Sequence, residues 1–219
     1  DFTDVNNDAT RVEVNTISAE MAKVRDYVPD YAVMAHRGST FWAPEETESA
    51  WRWAREMGAD YLESDLQCTK DGVILANHDD NLKRTTNIEN VYSELVPATR
   101  KAFYMRHGVS EEEAEKLVAA DKASFRPYYA MSYMYEELLA LDAGSWFNET
   151  SIEQARKSFA EKHQYVSALE DQIRYAEGKM LKRGSDGERI YTVTGTWDPD
   201  KPRDCLTYKF EYVDDPQDT

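Results

Sequence analysis

Five residues, Cys68 to Gly72, separate two runs of strand character at 61–67 and 73–77. A parallel crossover needs a connection of about a dozen residues, so these runs are confined to an antiparallel hairpin. In the first run Leu62 and Leu66 fall on one face, and Tyr61, Glu63, Asp65 and Gln67 on the other. Lys70-Asp71-Gly72 is a tight-turn signal. Read as a two-residue Asp71-Gly72 turn, it sets positions summing to 143 opposite each other and brings His78 across from Asp65. An odd sum keeps the imidazole on the carboxylate face, and an even sum removes it.

Glu63 and Asp65 stand at i and i+2, so on a strand their side chains share a face with roots roughly 6–7 Å apart. Like charges among core-type residues repel unless a cation lies between them. A hard divalent ion with oxygen ligands, Mg2+ or Ca2+, meets that need; the plainer alternative is a wet face. His36 closes a short apolar run at 31–35 and is followed by Arg37 and Gly38. An imidazole is the natural proton carrier near neutral pH, and a guanidinium beside it can clamp phosphate oxygens. Singly, each has an ordinary structural reading; together with His78 they point to phosphate chemistry. Charge agrees. With 26 basic and 42 acidic residues the chain carries −16 and repels nucleic acid and anionic membrane. Phosphate must then be held by a local cation, from a metal or a placed arginine.

The rest alternates strands and helices, an α/β pattern with a large excursion. A short helix is expected at 19–27, and another at 47–57, with Ala50, Trp51, Ala54 and Met57 on one stripe and Gly58 as a stop. Residues 81–148 form the excursion. Ser110 with Glu113 makes a capping box for a helix to about 120, a second helix covers 134–141, and Ser167 with Glu170 opens a third to about 182. Strands are expected at 189–194 and 205–213. Tyr128, Tyr129, Tyr133 and Tyr135 read either as core or as the wall of a pocket for a quaternary ammonium. The apolar runs are too short to span a bilayer, so no stable membrane insertion is expected. Cys68 and Cys205 show no metal-type spacing. The chain opens at Asp1 without Met or a charged-then-apolar leader, which fits a processed extracytoplasmic protein, periplasmic or secreted.

Across 32–87 the order His36-Arg37-Gly38, Pro44-Glu45-Glu46-Thr47, Glu63-Ser64-Asp65, Thr69-Lys70-Asp71-Gly72, His78-Asp79 and Arg84-Thr85-Thr86 resembles the glycerophosphodiester phosphodiesterases. The run Leu141-Asp142-Ala143-Gly144-Ser145-Trp146-Phe147 looks like that family's insertion segment. The resemblance implies a (β/α)8 barrel of the TIM type, here its N-terminal part only (1–96), followed by an α+β insertion after the third strand (97–219). It implies His36 and His78 as general base and acid, and Arg37 and Glu45 as substrate-binding residues. Glu63 and Asp65 become ligands of Ca2+ or Mg2+, and a small phosphodiester is cleaved to glycerol 3-phosphate and an alcohol. Two departures stand out. Glu46 replaces the family's Asn, adding charge and threatening a hydrogen bond near the mouth, and the family's third metal carboxylate has no match, neither Glu170 nor Glu211 being assigned. The residues read as part of a longer protein. Two other readings remain: a non-catalytic binding module of the same fold, and a related phospholipid phosphodiesterase.

Overall fold

A computed structural model describes residues 31–147 and 163–216; the helix expected at 19–27 lies outside them. Residues from Val33 onward form one compact unit. Strand β1 (Met34–Ala35) pairs in parallel with β2 (Tyr61–Leu62), and helix α1 (Glu48–Glu56) joins them. The α1 start is written in Thr47, whose hydroxyl accepts from Ala50 N at 3.4 Å and donates to Pro44 O at 2.7 Å. Ala50, Trp51 and Ala54 are buried as expected, but Met57 is 60% exposed, because it is the C-cap and lies past the last full turn.

The expected strand at 61–67 breaks. It pairs with β1 through Leu62, leaves regular structure over residues 63–65, and resumes as β3 (Leu66–Cys68) against β4 (Ile74–Ala76). The hairpin is antiparallel, but its partners Leu66 with Ala76, Gln67 with Leu75 and Cys68 with Ile74 sum to 142, not 143. The loop holds three residues, Lys70-Asp71-Gly72, closed by Thr69 N to Val73 O at 3.0 Å and Gly72 N to Thr69 O at 3.2 Å. Gly72 sits at φ +93°, the left-handed position that a three-residue hairpin loop demands. That one extra residue flips the parity. Asn77 N now donates to Asp65 O at 2.9 Å, and His78 is not brought opposite Asp65.

Asp71 explains why the loop takes this form. Its buried carboxylate accepts from Thr69 Oγ1 (2.6 Å), from Tyr135 N (3.0 Å) and from the Tyr208 hydroxyl. It thereby ties the hairpin to the start of helix α5 (Tyr135–Leu138) and to a distant strand. Ahead of α5 come α2 (Ile88–Val91), α3 (Arg100–Arg106) and α4 (Glu111–Ser124). Ser110 caps α4 as expected, and three glutamates in its first turn favour the helix dipole. Tyr133 and Tyr135 are fully buried in the main core with Leu75, Leu82, Leu138 and Leu141, so they belong to the core and not to a pocket wall.

Helix α6 (Leu169–Ala176) is capped one residue later than expected: Asp171 accepts from Ala168 N at 2.7 Å, and Ser167 and Glu170 are not the box. It stops at Gly178, in the left-handed conformation at φ +79°, and Lys179–Leu181 become strand β5 where helix was expected. Strand β6 (Tyr191–Gly195) pairs with β7 (Leu206–Phe210), and β5 with β8 (Tyr212–Asp214), so the strand expected at 205–213 is divided between two partners. Buried Arg189 holds this end, paired with Asp171 and donating to the Tyr135 hydroxyl at 2.6 Å. Among the described residues the sheets are two-stranded pairs, an α/β arrangement with few strands. No helix among them is long and apolar enough to cross a membrane.

A Cβ at Gly72 would come 2.5 Å from Arg203 O on a backbone that L residues rarely adopt. Gly72→Ala is therefore expected to lower stability by ~2 kcal/mol or more, read as an earlier urea midpoint at unchanged slope.

Candidate active site

Residues 36–46 leave β1 and return to α1, and Glu46 N donates to Arg37 O at 3.1 Å to close that loop. Its two ends therefore face the break at 63–65. The β1–β2 ladder extends through Glu63 N to Ala35 O at 3.0 Å. Ligand-capable atoms of His36, Glu63 and Asp65 all lie within 4.8 Å of one another. Arg37 threads this group: its backbone N–H donates to Glu63 Oε2 at 2.8 Å, and its Nε stands 2.9 Å from Asp65 Oδ2. That last pair is shut off from solvent and too poorly aligned to count as a hydrogen bond, leaving both atoms unsatisfied.

The donor set fits a hard divalent cation. A span under 5 Å is about twice a Ca–O distance of ~2.4 Å, carboxylates have lone pairs to spare beyond the bonds made here, and Asp65 Oδ2 is a buried oxygen with no hydrogen bond, only the ion pair to Arg37. Sequence reasoning had given His36 a purely acid–base part; the geometry puts its imidazole within ligand reach. Glu170 and Glu211 pair instead with Arg174 and Lys182, at 2.8 Å and 2.7 Å.

His78 is absent from the metal-ligand group, and the hairpin argument that placed it there fails with the register. It connects to the group through side chains instead. His78 Nδ1 meets Asp79 Oδ1, and Arg84 Nε donates to Asp79 Oδ2 at 2.8 Å. Arg84 Nη2 also reaches Glu45 Oε1 at 2.7 Å, and Arg37 Nη1 donates to the same oxygen at 3.3 Å. Glu45 is thus engaged by two arginines. Burial pushes its carboxyl up, but Arg84 and Arg37 outweigh that and hold it below the usual glutamate range.

Glu46 stands closer to the acidic pair than motif reading suggested. It takes up φ +58°, a left-handed conformation in which Asn is the commoner non-glycine choice. Its carboxylate accepts from Asp65 N at 2.8 Å and from the Ser64 hydroxyl. Burial, with the charges of Asp65 and Glu63 adding to it, raises its carboxyl to about 7.

A sequence model of the glycerophosphoryl diester phosphodiesterase family matches residues 36–197. The chain belongs to that family. It is 28% identical over 165 residues to glycerophosphoinositol inositolphosphodiesterase GDPD2 of Mus musculus, covering 73% of this chain and 25% of that protein. It is 30% identical over 126 residues to the glycerophosphodiester phosphodiesterase of Bacillus subtilis, covering 58% of this chain and 30% of that protein. Among solved structures it resembles the glycerophosphodiester phosphodiesterase of Agrobacterium tumefaciens at 26% identity and a TM-score of 0.41, over 67% of this chain and 42% of that one. The chain spans about a quarter to a third of the length of these two curated relatives.

A carboxyl raised in the fold binds its proton more tightly there than in the unfolded chain. The metal-free protein should therefore lose stability as pH rises from the ordinary 4.5 through about 7, by at most ~3 kcal/mol at ~1.36 kcal/mol per unit. Glu46→Gln should flatten that fall and raise the melting temperature at pH 8, measured by calorimetry in EDTA.

Proposed function

We propose that this chain forms the active-site part of a metal-dependent phosphodiesterase that cleaves glycerophosphodiesters to glycerol 3-phosphate and an alcohol. The supporting observation is the gathering of His36, Glu63 and Asp65 within 4.8 Å of one another beside Arg37, in a chain of this family. In this reading 1–96 begin a (β/α)8 barrel and 97–219 are an insertion after its third strand.

Glu63 and Asp65 would hold Ca2+ or Mg2+, with the His36 ring beside the ion and free to take a proton. Once bound, such an ion polarises a phosphoryl oxygen and steadies the charge that develops on it. Arg37 is placed to take a second phosphate oxygen, since its Nε–Asp65 contact is badly aligned and readily exchanged for a better acceptor. His36 takes the proton from the attacking hydroxyl or water, and His78, doubly protonated at this step, gives its Nε2 proton to the departing alkoxide and is left as the neutral Nδ1–H ring held by Asp79. Asp79 keeps that ring oriented. Arg84 and Glu45 hold Arg37 from behind. Ser64 and Glu46 fix the loop carrying both acidic ligands.

A non-catalytic module of the same fold is the competing reading. Release of choline from glycerophosphocholine, with and without EDTA, separates the two readings, and lysophospholipid as a competing substrate tests for phospholipid activity. His36→Ala and His78→Ala should each lower kcat ~100-fold or more in the complete protein. Glu63→Gln should weaken metal binding measured by calorimetry. Activity near wild type in either histidine variant would overturn the acid–base assignment.

A further inference from the structure

Asp79 and Arg84 form a second arrangement beside the metal group. The Arg84 guanidinium joins two segments far apart in sequence. Its Nη1 and Nη2 donate to Glu45 Oε2 and Oε1 at 3.1 and 2.7 Å, and its Nε and Nη2 to Asp79 Oδ2 and Oδ1 at 2.8 and 3.4 Å. A two-point contact on each of two carboxylates uses the planar fork of a guanidinium, which an ammonium lacks. Beyond them, Asp79 Oδ1 meets His78 Nδ1, and Glu45 Oε1 receives Arg37 Nη1 at 3.3 Å. Two exposed pairs of the described residues are simpler. Lys116 with Glu112 and Arg174 with Glu170 are neighbours one turn apart on a single helix.

Resting on the functional reading above, we propose that Arg84 is a positioning residue that sets the tautomer of His78 through Asp79 and the orientation of Arg37 through Glu45. A carboxylate held on Nδ1 keeps a proton there and leaves Nε2 to exchange protons with substrate. Asp79 is suited to this because its carboxyl is held down to about 2, chiefly by the hydrogen bond from Arg84, and stays ionised at neutral pH. The Arg84 side chain is 42% exposed, so its ion pairs add little stability. What the fork supplies is geometry: it fixes Asp79 against one face of His78 while bracing Glu45 against Arg37. One guanidinium thus sets the general acid and the phosphate clamp together.

The test uses the full chain with 15N-labelled histidine. Only four histidines are present, and the His78 signal is assigned by its loss in His78→Gln. Long-range proton–nitrogen spectra distinguish Nδ1–H from Nε2–H. The wild-type chain should show His78 as the Nδ1–H form, Arg84→Ala should give a mixture with an unchanged melting curve, and Arg84→Lys, which keeps the charge but not the fork, should fail to restore it. In turnover of glycerophosphocholine, kcat of Arg84→Ala should fall roughly 10–100-fold, more than KM rises. An unmoved His78 tautomer in Arg84→Ala overturns the proposal, as does full restoration by Arg84→Lys. If Arg84→Ala does not fold, the lysine variant decides. A tautomer change in Arg84→Ala, with a wild-type chain that hydrolyses nothing, defeats the functional reading but leaves the Arg84 assignment standing; wild-type hydrolysis with an unmoved tautomer in Arg84→Ala defeats Arg84 alone.

Discussion

The carboxylate of Asp71 is the interaction on which the rest of the architecture turns. It is buried, and burial pushes its carboxyl above the usual range, yet it is surrounded by donors from three separate segments: Thr69 within the turn, the Tyr135 backbone and the Tyr208 hydroxyl. Burying a carboxylate is costly unless its lone pairs are matched. Matching them here requires the hairpin tip, the start of α5 and strand β7 to meet at one point. That meeting fixes the three-residue loop, the loop fixes the register, and the register decides what stands beside Asp65.

At the site, the organising problem is excess negative charge. Glu45, Glu46, Glu63, Asp65 and Asp79 lie on three segments, ahead of α1, between β2 and β3, and after β4, and their charges are met in different ways. Glu46 is pushed toward neutrality by burial, Asp79 and Glu45 are held ionised by Arg84, and Asp65 has Arg37 at 2.9 Å. Arg37 contacts Glu63, Asp65 and Glu45, so its position ties the two acidic segments together.

The motifs of residues 36–86 were legible because each is short, ordered and bound to a local structural need. Thr47 and Ser110 cap helices where the sequence places caps, and the Cys68 to Gly72 separation forces an antiparallel pair. His36, Arg37, Glu63 and Asp65 lie together, although residues 63–65 have left the strand on which the sequence placed the two carboxylates. The departures share one cause. A strand that breaks at residue 63, a helix cap at Ala168 in place of Ser167, and a loop of three residues in place of two each involve partners 18 or more residues away. Local pattern does not weigh such partners.

The sequence by itself determined the chemistry available: two carboxylates two residues apart, a histidine–arginine pair at a strand end, a second histidine beside an aspartate, and an arginine downstream. Tertiary structure decided the wiring. Side-chain alternation has a period of two, so a single residue in a turn exchanges faces, and only the distant donors to Asp71 select that residue count. His78 therefore reaches the site through Asp79, Arg84 and Glu45, not across a hairpin, because a guanidinium can bridge carboxylates that the backbone leaves apart.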